Sequence, residues 1–301
     1  NIILENIPFE ITQERVEYAL ACLPVYEKYY HEITEEIQGI ADGQQCDVRI
    51  LQAVLFSMYS IPPACNCSCF AITAGEEILL GRNSDFLTEM EKLNLNVMYK
   101  LTDGTYSFTG NTTAFVEMED GMNEHGLAVG LTSVYPLRYK RGFNAGILLR
   151  YLLEKCKNVS EAVSCLYQLP IASAQTLILA DTSGHIALVE CNSDRIETIT
   201  PRSNHCSSVC ATNRFHLKNM EAYNSTGIDD WYAEKRYQTM SSALQDKKNF
   251  SLTFAKKLLS GDYGFLCQYD RNTGKDTVWS VVYDLKRHTI YRSEGNPRQH
   301  G

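Results

Sequence analysis

Two adjacent prolines, Pro62 and Pro63, divide the chain into parts with different hydrophobic periods. Proline lacks an amide hydrogen and biases the residue before it away from helical geometry, so a pair of them ends any helix that reaches it. Upstream, over residues 10–60, apolar residues recur three and four apart, as in helices with one buried face. ITQERVEYALACL predicts one helix. PVYEKYYHEITEEIQGIADG predicts a second, opened by Pro24 and closed by Gly43, and DVRILQAVLFSMYS a third that stops at the prolines. Downstream the pattern is that of strands. CSCFAITA and EILLGRN flank Ala74-Gly75-Glu76-Glu77 and predict a β-hairpin. LNVMYKL, TAFVEM and LAVGLTSVY read as strands, the last leaving a turn at EDGMNEHG. AGILLRYLLEKC and VSEAVSCLYQL read as helices, followed by strands AQTLILAD, HIALVEC and RIETIT. DDWYAEKRYQTMSSAL is helical in pattern, and DTVWSVVYDL with HTIYRSEG forms a closing hairpin. This order predicts a layered α+β fold, helices on antiparallel sheets, preceded by a helical segment.

Bulk properties narrow the functional classes. The 301 residues can bury a sizeable core. The formal charge of −8 comes with no basic run or stripe, so nucleic acid is not an expected partner. No apolar segment approaches the roughly 20 residues that cross a bilayer. The 11 cysteines are odd in number and lack the spacing of a small disulfide scaffold. That favours a reducing, cytoplasmic setting with mostly buried thiols. The chain begins at Asn1 rather than methionine, so a removed signal peptide stays open. Asn-x-Ser/Thr triplets at Asn111 and Asn249 are of a kind that arises often by chance.

In PACNCSCFAITAGEEILLGRNSDF, three cysteines alternate: Cys65, Cys67 and Cys69. Zinc sites usually use cysteines two to four apart on a turn, whereas an extended segment spreads alternate sulfurs along one face. Cys206 and Cys210 add no Cys-x-x-Cys pair, so no metal is expected. Neighbours i and i+2 on a strand suit a disulfide poorly. Free cysteine is among the most buried residue types, which makes packing the plain reading of all three.

The residues downstream change that weighing. CSCFAITAGEEILLGRNSD resembles the start of the mature chain in N-terminal-nucleophile (Ntn) hydrolases acting on linear amides. That group includes choloylglycine hydrolases, penicillin V acylases, the penicillin-forming acyltransferase and acid ceramidase. Its pattern is a cysteine, a small hydroxyl residue, a hairpin and Gly-Arg-Asn-x-Asp, matched here by Gly81-Arg82-Asn83-Ser84-Asp85. Counting back through the hairpin places the nucleophile at Cys67, followed by Ser68, with Cys65 and Cys69 as bystanders. GMNEHGLAVGL resembles the group's Gly-x-Asn-Glu-x-Gly-Leu turn, and LILADTSGHIALVE its Asp-x-x-Gly hairpin. CATNRFH resembles its Thr-Asn segment and supplies Asn213, and WYAEKRYQTM the following helix with Arg236. The resemblance covers about residues 64–297. It implies a four-layer αββα sandwich of two antiparallel sheets at 67–301, preceded by a helical pre-segment at 1–66 like that of acyltransferase-type and ceramidase-type members.

The resemblance also implies a mechanism. Cleavage between Asn66 and Cys67 frees an α-amine, with a reference pKa near ~8, beside the Cys67 thiol whose proton it can take. Arg82 then steadies the thiolate, and Asp85 holds the new ammonium. The Asn213 NH2 is the candidate oxyanion donor, and Arg236 completes the charge network. A second donor is expected near Thr132-Ser133, where some relatives have an asparagine and this chain does not. The loops around Tyr135 and between Tyr223 and Tyr232 suggest an apolar acyl pocket. His205 and His216 are expected to be surface residues. No cofactor is called for. The leading expectation is an autoproteolytically activated amidohydrolase of small N-acyl amides, forming a thioester on Cys67. An acyltransferase with an amine acceptor and a non-catalytic or zymogen-like binding protein stay open, as do retention of the pre-segment and homo-oligomer formation.

Overall fold

The computed structural model describes residues 7, 9–61, 66–102, 104–201, 206–246 and 250–300. The proline pair, Cys65, His205 and Asn249 lie outside the described residues.

The pre-segment folds as three helices. α1 (Gln13–Tyr29) starts at Thr12, whose hydroxyl accepts a hydrogen bond from the Arg15 amide. Pro24 sits inside α1 rather than opening the second helix. The carbonyl that loses its partner to Pro24 belongs to Leu20, on the exposed side of the helix. The break comes at Tyr30, with φ −153° and ψ 59°. Its buried hydroxyl donates to Glu154 Oε2 at 2.5 Å, a tertiary contact that overrides local periodicity. α2 (His31–Gln44) ends on left-handed Gln45 instead of at Gly43, and α3 (Val48–Ser57) is capped by Asp47.

The remaining chain builds two antiparallel sheets. The first has the order β10-β1-β2-β11-β12: Cys206–Ala211, Asn66–Ala74, Glu77–Leu87, Lys275–Asp284 and Thr289–Glu294. The second runs from β3 to β9 in sequence order: Leu95–Tyr99, Phe108–Thr112, Asp120–Asn123, Ala128–Ser133, Gln175–Ala180, Ile186–Cys191 and Ile196–Ile199. TAFVEM is a turn rather than a strand, because Phe115 adopts φ 56° and the chain reverses there. The reversal shifts pairing onto β5, inside the segment expected to be a turn. β10 and helix α7 (Leu252–Leu259) are elements the sequence reading did not contain.

Alternation along the strands sorts the core into layers. Cys69, Ala71 and Leu80 of the first sheet meet Ala128, Ile178 and Leu188 of the second. On the outer face of the first sheet, Phe70, Ile72 and Leu79 pack on α6 (Ala233–Asp246) and α7. On the outer face of the second, Val129, Leu177 and Val189 share a core with α4 (Ala145–Lys155), α5 (Val159–Leu166) and the pre-segment. The result is the αββα sandwich with a helical segment added to one outer layer.

That segment is continuous with the core. Tyr26 stacks on Phe56 with ring centroids 4.0 Å apart and tilts against Phe143 at 5.0 Å. Arg150, 1% exposed, pairs with Glu154 at 2.7 Å and with Glu36 of α2 at 2.5 Å. Among the described residues, no helix is long and apolar enough to cross a membrane.

Candidate active site

The hairpin brings the cysteine run onto Gly-Arg-Asn-Ser-Asp. Cys67 lies opposite Ser84, and Asn66 opposite Asp85. Because side chains alternate, Cys67, Arg82 and Ser84 face the space between the sheets, while Asn66, Ser68 and Asp85 face the α6–α7 layer. Arg82 and Asp85, expected to act together, therefore stand on opposite faces of β2. None of Cys67, Arg82, Asp85, Asn213 and Arg236 is more than 2% exposed.

On the thiol side, Arg82 Nη2 donates to Cys67 Sγ at 2.7 Å. The same guanidinium reaches Glu119 at 3.0 Å, Asp120 at 2.9 Å and the Leu131 carbonyl at 2.8 Å. Ser84 Oγ also donates to Glu119. Asp120 further accepts from Asn111, Trp279 and Tyr283. Asn111 is thus fully buried in a polar network, which explains its position without a glycan. Cys69, two residues on, packs into the core, where burial pushes its thiol well up from the ordinary range. A Cβ on Gly130 would come within 2.5 Å of the Cys69 sulfur, so a glycine is needed beside it.

On the opposite side, Arg236 Nη1 donates to the Cys67 carbonyl at 2.5 Å and to Ser68 Oγ at 3.0 Å. Its Nη2 donates to Asn213 Oδ1 at 2.8 Å. That oxygen also accepts from the Cys67 backbone nitrogen at 2.9 Å. Asp85 lies 3.6 Å from Arg236 and accepts from Thr277 Oγ1 at 2.6 Å and Tyr269 OH at 3.0 Å. Burial pushes its carboxyl up to about 6, with Arg236 and the hydroxyl donors pulling the other way.

The corner before α6 aims this arginine. Trp231 and Tyr232 both take left-handed conformations, with φ 51° and 61°. Such non-glycine residues cost on the order of 1–3 kcal/mol each and persist only where surrounding contacts hold them. Here the corner turns the Asp230 and Trp231 carbonyls onto Arg236, at 3.1 and 3.0 Å. With its amide oriented to satisfy both neighbours, Asn66 donates to the Asp230 carbonyl and accepts from Trp231 Nε1, each at 3.3 Å.

The other expected residues are placed as follows. Asn213 Nδ2, the anticipated oxyanion donor, donates to the Ser133 carbonyl at 2.8 Å. The buried Thr132 hydroxyl donates to the Thr212 carbonyl at 2.6 Å. Tyr135 belongs to a rim where its hydroxyl meets the Asp229 carbonyl at 3.4 Å and its carbonyl accepts from Ser225 at 3.0 Å. His216 is covered rather than on the surface: its ring stacks on Tyr237 at 3.5 Å, and burial lowers its pKa. Sequence reasoning missed Glu119, Asp120, Tyr269, Thr277, Trp279 and Tyr283. Only the adjacent acids in EDGMNEHG carried a signal, and that stretch reads first as a turn. Among the described residues, no group of three or more His, Cys, Asp or Glu is arranged to hold a metal ion.

The two-sheet sandwich with this hairpin is the fold of the N-terminal-nucleophile hydrolases of linear amides. Solved structures show it directly. Penicillin V acylase from Agrobacterium tumefaciens superposes with a TM-score of 0.53 at 18% identity, covering 76% of this chain and 83% of its own. The Caenorhabditis elegans ortholog of N-acylethanolamine-hydrolyzing acid amidase gives 0.51 at 17% identity, covering 75% and 99%. A variant of the conjugated bile acid hydrolase from Clostridium perfringens gives 0.56 at 14% identity, covering 76% and 89%. The comparison with curated proteins found no match. The profile of the acyl-coenzyme A:6-aminopenicillanic acid acyl-transferase family matches residues 72–299, more than half of the chain, and the chain belongs to that family. The match begins downstream of Cys67.

Proposed function

We propose that the protein is a cysteine amidohydrolase of linear N-acyl amides that activates itself by cleaving the Asn66–Cys67 bond. The observation that carries this reading is the grip on Cys67 from both sides: Arg82 on its sulfur, and Asn213 on its nitrogen. In the uncut chain the Cys67 sulfur attacks the Asn66 carbonyl carbon. The C–N bond breaks, the nitrogen takes up a proton, and the acyl group rests on sulfur as a thioester that water hydrolyses. The freed amine stays beside Asn213 Oδ1, where it takes the thiol proton for attack on a substrate amide. Arg82 acts on the sulfur as a hydrogen-bond donor rather than as unopposed charge, since Glu119 and Asp120 already share its guanidinium. Arg236 fixes the Cys67 carbonyl, and Asp85 balances Arg236.

The substrate class rests on the names of the structural neighbours, whose penicillin V, N-acylethanolamine and conjugated bile acid substrates all carry an acyl group on nitrogen. Trp231, whose Nε1 reaches Asn66, together with Tyr232 and Tyr135 suits an apolar acyl chain. The family's own description favours one second reading, transfer of the acyl group to an amine. Segment 1–66 remains bound after cleavage, because Tyr26, Tyr30 and Glu36 anchor it to α4 and its approach.

The test combines intact mass with an assay of N-acyl amides on wild type and Cys67→Ala. Two co-purifying fragments split before Cys67, with hydrolysis lost in the variant, are expected. A persistent single chain that hydrolyses amides as well as the cut protein would overturn self-activation. Transfer to added amines in place of free acid would select the second reading.

A further inference from the structure

Asn213 meets the Cys67 nitrogen from a segment that has left its strand. β10 pairs with β1 as far as Ala211, opposite Cys69. Beyond that point side chains hold the backbone of segment 212–217. The Thr212 carbonyl accepts from Thr132 Oγ1 at 2.6 Å. Phe215 exchanges two hydrogen bonds with the Asn224 side chain, at 2.8 and 2.9 Å. The His216 and Leu217 amides donate to Glu190, one to each carboxyl oxygen, at 2.7 and 3.0 Å.

Thr132 and Glu190 stand in one row on the second sheet. Thr132 of β6 lies opposite Thr176 of β7, and Thr176 opposite Glu190 of β8. Residues opposite one another share a face, here the one that carries Ala128, Ile178 and Leu188 against the first sheet. All three are buried, Glu190 at 1% exposure. Each threonine hydroxyl has a single hydrogen. Thr132 gives its own to the Thr212 carbonyl, so the Thr176 hydroxyl donates to Thr132. The row ends at Glu197 of β9, which is opposite Glu190 and reaches the Asn219 side chain at 3.2 Å. A carboxyl group is costly to bury on an apolar face unless its oxygens are bonded. Two adjacent amides turned toward the sheet need two acceptors, and Glu190 supplies both.

We propose, building on the amidohydrolase reading, that Glu190 is a positioning residue of the active site, holding segment 212–217 so that Asn213 meets Cys67 and Arg236. Asn213 Oδ1 accepts from the Cys67 nitrogen at 2.9 Å and from Arg236 Nη2 at 2.8 Å. Such contacts tolerate little displacement, since a shift of about 1 Å can cost roughly 10²-fold in rate. Glu190 acts on the reaction through the backbone it holds.

The experiment compares wild type, Glu190→Gln and Glu197→Gln. It follows fragment formation, kcat and KM per cut chain on the N-acyl amide that wild type cleaves fastest, and residue-resolved hydrogen exchange. In Glu190→Gln one accepting oxygen remains, and an NH2 faces the other amide, donor against donor. Fragment formation and kcat should fall on the order of 10-fold at unchanged KM. Exchange should quicken at His216 and Leu217 while the β8 amides keep their wild-type rates. Glu197→Gln should match wild type throughout. Wild-type kcat and fragment formation in Glu190→Gln, or an equal loss in Glu197→Gln, would overturn the proposal. So would rapid exchange at His216 and Leu217 in wild type, a measurement that stands even where Glu190→Gln fails to fold. A wild type that neither cuts itself nor hydrolyses amides removes the functional reading and this role with it. An active wild type matched by Glu190→Gln removes the role of Glu190 alone.

Discussion

Two buried arginines flank Cys67, and they are buried at different electrostatic cost. Arg82 sits between the sheets with two carboxylates in contact, Glu119 and Asp120. Arg236 sits against the helical layer with a single carboxylate at 3.6 Å, and otherwise spends its hydrogen bonds on the Cys67, Asp230 and Trp231 carbonyls, Ser68 and Asn213. The first network is locked by charge. The second is assembled largely from backbone carbonyls and one acid whose carboxyl burial pushes up to about 6. Rigidity is thus concentrated around the sulfur, and adjustability around the Asn66–Cys67 bond, the proposed cleavage point.

The largest expected effect separates the two networks by stability. Arg82→Met leaves Glu119 and Asp120 buried without their counter-charge, which should cost about 3–5 kcal/mol. Arg236→Met leaves Asp85, which relieves its isolation by taking a proton, together with unpaired carbonyls. The loss there should be about 1–3 kcal/mol. Urea denaturation of both variants measures the difference. Equal losses would break the contrast. Arg236→Met should also slow fragment formation on the order of 10²-fold, as expected when the group that positions Cys67 is lost. The time course of the two fragments on a denaturing gel reads this.

How much of this contrast could be read beforehand follows from what each residue needs. Cys67, Arg82 and Asp85 lie on one hairpin, so local strand pairing brings Arg82 to the sulfur and sets Asp85 on the other face, and alternating apolar patterns predict a layered α+β fold, whose αββα form the resemblance implied. Asn213 and Arg236 were reachable only through the ordered resemblance, since their partners are 146 and 169 residues away in sequence. Glu119 and Asp120 were hidden because the chain reverses at left-handed Phe115, a conformation no residue type announces there. The Asp230–Tyr232 corner was hidden for the same reason: it reads as the start of a helix and is instead a left-handed pair. Pro24 was misplaced as a helix start because the buried Tyr30–Glu154 contact, 124 residues apart, decides where α1 ends.

Titration gives the next sharpest test, because the Arg236 side holds an acid with a carboxyl pushed up to about 6. Below that pH Asp85 is protonated and Arg236 lacks its carboxylate partner. Fragment formation and hydrolysis should therefore rise with pH through a limb near 6, and Asp85→Asn should remove the limb. Stability should move in the opposite sense. The native chain keeps this proton to a higher pH than the unfolded chain, whose Asp pKa is about 3.9. The Asp85 contribution is therefore fully favourable below about 4 and is lost as pH rises through about 6. Asp85→Asn should flatten that decline in chemical denaturation at pH values between the two. A limb that survives in the variant would assign the titration to another group.

The smallest effect probes whether the strained corner serves the adjustable side. Tyr232 is 64% exposed, takes φ 61°, and touches Phe265 edge-on at a centroid distance of 5.3 Å. Tyr232→Gly releases left-handed strain worth about 1 kcal/mol or more. It also loses an aromatic contact worth about 0.5–1.5 kcal/mol and adds chain entropy to the unfolded state. These oppose one another, so the unfolding midpoint should barely move. The rate is a separate matter, because the corner is what points the Asp230 and Trp231 carbonyls at Arg236. A looser corner samples geometries in which Arg236 no longer grips the Cys67 carbonyl, and fragment formation should slow by less than about tenfold. A variant that gains stability and cuts at the wild-type rate would show that the strain is incidental, and that the backbone oxygens around Arg236 need no help in finding it.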